Sequence, residues 1–230
     1  MNIEPLELEE QPTLLYPEKR VVRGASHEPV PDEPLADRVS LGCPLAIPLT
    51  PDWAASDPQL KTFIEAEASS ARYALVYLAC TFKPAENERI SRAWLTVNLD
   101  VSPQARVGDA AIAWSMEPMR TAKPLNLHRT LSIKVPVKFV EANAAMGSEV
   151  SMEQLFCEAL GLQEPTPSWE FTDSESQRLR GTHRLNLVIR APLVQVTGTV
   201  SFRASVTRKH FGVLPYGTSA DGGPALTFAL

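Results

Sequence analysis

The chain has 230 residues, with 22 Lys+Arg against 27 Asp+Glu for a net charge of −5, 44% hydrophobic and 21% charged residues, and 20 Pro against 11 Gly. This is the composition of an ordinary globular protein and excludes collagen-like, coiled-coil and wholly disordered chains. The charge is lopsided: residues 1–40 hold nine acids and four bases, which accounts for the whole −5 and leaves 41–230 neutral.

Six of the 20 prolines also fall within residues 1–40. Each removes a backbone donor and biases the residue before it toward extended geometry. The expectation is an extended, Pro-rich acidic arm over 1–40, anchored by Leu6, Leu8, Leu14, Leu15 and Tyr16 on the body or on another chain, with Leu6, Leu8 and Tyr16 the candidate binding residues. A single β-sandwich domain over 41–230 follows it.

Further on, Leu60, Phe63 and Ile64 recur at helical spacing and predict a short helix within 57–68. Residues 73–82 (YALVYLACTF) are apolar on both faces, as in a strand buried on two sides. In 91–101, Ala93, Leu95, Val97, Leu99 and Val101 alternate with polar residues, and the turn chemistry of 83–88 reads the two strands as a hairpin. A short strand over 111–116 is stopped by Pro118. Leu131, Ile133, Val135, Val137 and Phe139 line one face of another, with Lys134 and Lys138 opposite; Pro136 makes that strand an edge or a bulge. Residues 151–161 break the two-residue period. Met152, Leu155, Phe156, Ala159 and Leu160 sit at helical spacing, Ser151 and Gln154 fit a capping box, and Gly161 fits a stop, so a second short helix is predicted.

The β pattern resumes at 169–171 and continues through 184–190, where Leu185, Leu187 and Ile189 alternate with Arg184, Asn186, Val188 and Arg190. In 196–208 Val200, Phe202, Ala204 and Val206 point inward, with Ser201, Arg203 and Ser205 outward. The five-residue link 191–195 reads these two as an antiparallel pair. The fold class is therefore all-β, mainly antiparallel: a β-sandwich with one or two short helices and an extended N-terminal arm.

Chemistry-bearing motifs are scarce. His27, His128, His183 and His210 fall at no metal-ligand spacing, there is no Cys-x-x-Cys, and no glycine-rich phosphate loop occurs, so no cofactor and no metal are expected. Cys157 with a histidine and Asp173 sketches a cysteine-dependent hydrolase, but Cys157 and Cys80 both lie in apolar surroundings where a thiol packs as a hydrophobe. Between Arg178 and Ala220 stand seven bases and no acid, and Arg184, Arg190 and Arg203 on the supposed hairpin form a face suited to phosphates or another anion. The lack of interleaved aromatics there disfavours nucleic acid. Insertion of the alternating strands 131–140 and 196–206 into lipid as a hairpin is a minor alternative, against which Pro136 weighs.

The longest apolar run is seven residues, 74–80, too short for a transmembrane helix of about 20. Three scattered cysteines and an acidic start without a basic, apolar leader point to the cytoplasm. The leading functional expectation is a non-catalytic protein-protein interaction or assembly module, with a protein partner or self-association. Anion binding through the basic C-terminal hairpin and the cysteine hydrolase are the alternatives, and a small-molecule ligand is left open.

Overall fold

The computed structural model describes residues 8–17, 34–53, 58–103, 105, 109–125, 152–174, 177–208, 212–217 and 226–230. They form a mostly antiparallel, two-sheet structure with one helix, consistent with the sandwich expected. The first sheet contains β1 (Glu10–Pro17), β2 (Leu35–Gly42), β3 (Leu45–Leu49), β4 (Ala71–Phe82), β6 (Ile112–Glu117) and β10 (Gly181–Pro192), in the order β6-β10-β4-β2-β1. β3 continues along the edge of β4 that β2 begins. The second sheet contains β5 (Glu88–Val101), β7 (Arg120–Leu125), β8 (Met152–Leu160), β9 (Ser168–Thr172), β11 (Val196–Arg208), β12 (Gly212–Gly217) and β13 (Leu226–Ala229). Its order is β12-β11-β5-β9-β8-β7, and β13 shares an edge of β11 with β12. β1 touches both sheets: it pairs with β2 over most of its length and with β12 through Tyr16 and Pro17.

The two-residue alternation in β5, β10 and β11 directs one set of side chains into the gap between sheets. Ala93, Leu95, Val97 and Leu99 meet Leu185, Leu187, Ile189, Val200, Phe202, Ala204 and Val206 there, around the fully buried Trp169, Phe82 and Phe171. β4 is apolar on both faces because both are covered. Val76, Leu78, Cys80 and Phe82 face the second sheet, while Tyr73, Leu75 and Tyr77 lie under helix α1 (Pro58–Glu67), whose Ile64 is buried against them. This helix is the one that the spacing of Leu60, Phe63 and Ile64 predicts.

Three local expectations are corrected. Residues 83–87 do not close a hairpin: β4 and β5 lie in different sheets, and the turn carries the chain from one to the other. The same holds for β10 and β11, which pair with β4 and β6 on one side and with β5, β12 and β13 on the other. Residues 152–160 form β8, a strand and not a helix. A short apolar run cannot distinguish the two periods by itself, and here the ladders decide, because β8 pairs along β7 on one side and β9 on the other. Gly161 does end the element, at φ 81°, where an added Cβ would lie 2.9 Å from the Thr166 carbonyl oxygen. The expected strand over 131–139 lies outside the described residues.

Candidate functional site

The residues singled out in the sequence do not converge. Leu6 lies outside the described residues. Leu8 packs half-buried on the outer face of the first sheet, beside the cluster of Leu49, Ile64, Tyr73, Leu75 and Tyr77, and over Gly42, whose missing Cβ leaves the room. Tyr16 is half-buried where β1 meets β12. Arg184 and Arg190 stand on the outer face of the first sheet and Arg203 on that of the second, so the hairpin face that would have gathered them does not exist. Arg190 is engaged within the fold: its Nε donates to Glu67 Oε2 at 2.6 Å, and the Tyr73 hydroxyl donates to the same oxygen at 3.0 Å. Arg190 holds the Glu67 carboxyl below its ordinary value, and burial and the adjacent carboxylate push Tyr73 up to about 12. The triad fastens the end of α1 to β4 and β10.

The thiols are core groups. Burial pushes Cys157 up to about 12 and Cys80 higher still, the opposite of what a nucleophilic thiolate requires. Asp173, sketched from sequence as the third member of that hydrolase, has a buried side chain. It accepts from Arg89, from Arg178 Nη1 at 3.1 Å and from the Leu179 amide at 2.6 Å, and so ties the exit of β9 to β5. Among the described residues no group of three or more His, Cys, Asp and Glu side chains is arranged to hold a metal.

What the fold sets apart is the edge of the second sheet. The chain leaves β6, crosses between sheets at Pro118 and Met119, and returns as β7. The Trp169 indole donates to the Pro118 carbonyl at 3.1 Å, and the Ala159 amide to that of Met119 at 2.8 Å. β7 then pairs only with β8, and its other side has no partner strand among the described residues. The ladder starts at Arg120↔Glu158, shifts register between Thr121 and Ala122, and runs in register from Ala122↔Leu155 to Leu125↔Met152. β7 thus ends at Leu125 and β8 begins at Met152 on adjacent antiparallel strands.

No family model matches the chain, and no curated protein matches it. Among solved structures, one titled "Pore forming protein" is 7% identical, covers 69% of this chain and 79% of its own, and superposes with a TM-score of 0.27. The Clostridium perfringens NetB toxin in its membrane-inserted form is 9% identical, covers 96% of this chain and 94% of its own, and gives 0.29. At such scores neither fold nor activity transfers, so this chain's own residues have to carry any functional reading. The expectation of a cytoplasmic, non-catalytic assembly module is corrected: the solved structures found are titled as pore-forming, one of them in a membrane-inserted form. Its anion-binding alternative fails on geometry, because Arg203 stands on the other sheet from Arg184 and Arg190, and its hydrolase alternative fails because Cys157 is a core thiol. Among the described residues no helix is long and apolar enough to cross a membrane, which says nothing of crossing by strands.

Proposed function

We propose that this chain is a membrane-permeabilising β-sheet protein that acts as an oligomer and crosses the bilayer by strands. The observation that carries the reading is a sequence alternation next to an open sheet edge: β7 has a partner strand on one side only among the described residues, and the sequence that follows it interleaves Leu131, Ile133, Val135, Val137 and Phe139 with Ser132, Lys134 and Lys138. An apolar–polar alternation of that kind suits a strand with lipid on one side and water on the other.

The length of the alternating stretch agrees: about nine residues from Leu131 to Phe139 is close to the roughly 9–11 that a tilted strand needs to cross a bilayer. Self-association follows from the same physics. A lone hairpin in lipid leaves two edges of unpaired backbone groups, and only a closed barrel built from several copies removes them.

The test is release of a trapped dye from phospholipid vesicles, combined with single cysteines at 130–137 carrying an environment-sensitive fluorophore, in a chain with Cys43 replaced by Ser. Labels at 131, 133 and 135 should shift to the blue on vesicles while those at 132, 134 and 136 do not. Absence of release, or shifts without alternation, would refute the reading.

A further inference from the structure

His183 occupies the seam between the two sheets at the end from which β7 and β8 emerge. It stands on β10 opposite Cys80 of β4, and its ring lies 5.4 Å from that of Phe82 on β4, 5.2 Å from Phe156 on β8 and 5.5 Å from Phe171 on β9. It is thus the group of the first sheet against which the β8–β9 part of the second sheet rests. Its Nε2 is buried and has no hydrogen-bond partner among the described residues.

From these contacts we infer that His183 is a proton-operated latch: acidification charges it, opens the seam between β10 and the β8–β9 edge, and frees β7–β8 for the membrane step. The last clause rests on the reading given under Proposed function.

The physical argument concerns where a second proton would go. A neutral imidazole whose unpartnered nitrogen faces three phenyl rings is tolerable; an imidazolium there is a buried cation with one donor unmet. Among the described residues no carboxylate is positioned to receive it. On β4 the neighbouring titratable group is Cys80 and on β8 it is Cys157, and burial keeps both thiols neutral. Beyond β9, the Asp173 carboxylate is already occupied by Arg89, Arg178 and the Leu179 amide. Glu158 and Glu170 are register partners, each only half-buried, between the buried residues of β8 and β9. On the His183 side, Arg180 contributes a backbone hydrogen bond and Arg184 is a cation. Burial accordingly holds the imidazole below its ordinary 6.5, the direction that stores destabilisation for lower pH. The sign follows: the closed seam is favoured above about pH 6.5, where both states are neutral, and loses stability as pH falls below that value.

Two readouts separate the latch from the pore. Hydrogen exchange of β8 and β9 amides in the full-length protein, without lipid, should accelerate about tenfold or more between pH 7 and pH 5 after correction for intrinsic rates. His183→Phe, which keeps the aromatic packing, should abolish that acceleration, and dye release from neutral phosphatidylcholine vesicles should lose its acid dependence in the same variant. If the variant does not fold, His183→Gln serves, since it also cannot take up a proton near pH 6. Seam opening that persists unchanged in a folded variant would overturn the latch even if dye is released. Opening that depends on His183 with no release at any pH would uphold the latch and overturn the pore.

Discussion

At Gly198 an added Cβ would lie 2.0 Å from Cζ of Phe228, whose ring lies across the glycine on the facing strand. The backbone there is ordinary, so a side chain is excluded by the aromatic neighbour and not by strain. Because the obstructing atoms are the far end of one side chain on a short strand, the collision is relieved by expelling the ring. Gly198→Ala should therefore cost roughly what burying a Phe contributes, about 1.5–3 kcal/mol. In a Phe228→Ala background it should cost little. The check is a double-mutant cycle by urea denaturation, and equal costs in both backgrounds would show that the ring is not the obstacle. The tail sequence shows apolar character at 226–230 but nothing of this contact, since neighbours so distant in sequence leave no periodic trace. Arg72 illustrates the same point. Its Nη2 donates to the carbonyls of Val194 at 2.8 Å and Leu230 at 2.5 Å, fastening two remote segments through a residue with no distinguishing context in sequence.

At the scale of elements, α1 is the most testable attachment. Ile64 is its one buried residue, and Phe63 meets Trp114 edge-on at 4.8 Å, so little apolar area holds it down and the Glu67–Arg190 pair at its end matters in proportion. Both side chains are about 30% exposed, which limits the pair to about 1 kcal/mol or less. Glu67 has its pKa lowered from 4.5, chiefly by the hydrogen bond from Arg190, so this contribution is present above pH 4.5 and disappears as pH falls through the lowered value. Near-UV circular dichroism, to which Trp114 and Tyr73 beneath this helix contribute, should report a loosening of α1 as pH falls below 4.5, ahead of global unfolding. Glu67→Gln should show the loosened signal already at neutral pH and lose the acid step; an unchanged acid step would remove Glu67 as its source. α1 and the alternating strands β5, β10 and β11 were legible because each buries one face in a regular period. β8 was not. Its apolar residues have helical spacing by coincidence, and its extended form is imposed by ladders on both sides with residues 120–125 and 168–171. The two supposed hairpins failed for a related reason: a short link that doubles back within one sheet and one that crosses to the other are not told apart by their residues, and only packing selects between them.

For the whole molecule, the central question is what joins the two sheets. Apart from the core, β1 is the strand hydrogen-bonded to both, through Glu10–Leu15 to β2 and through Tyr16 and Pro17 to β12. Leu15, fully buried, makes the last pair with β2, just past a register shift in that ladder, and the pairing with β12 starts at the next residue. At its start the Glu10 carboxylate accepts from Thr81 Oγ1 at 2.6 Å and from Lys83 Nζ at 3.3 Å, so both ends of the strand are tied. The extended geometry of this segment follows from Pro12 and Pro17, but a strand with a single fully buried side chain has no periodic signature, and neither of its partners could be named from sequence. The candidate site shared this fate in part: the alternation at 131–139 was legible, whereas the open edge that β7 presents beside it required the observed ladders. If β1 couples the sheets, Leu15→Ala should do more than leave a cavity costing about 2–5 kcal/mol. It should also uncouple the sheets, so that urea unfolding followed by tryptophan fluorescence, weighted toward Trp94 and Trp169 in the second sheet, separates from unfolding followed by Trp114 in the first. Single-tryptophan variants make the comparison direct. Coincident transitions with an unchanged slope would mean that the shared core alone makes the sandwich cooperative. A split would identify β1 as the strap, and would mean that the sheets can part along the seam held by His183 without either one unfolding.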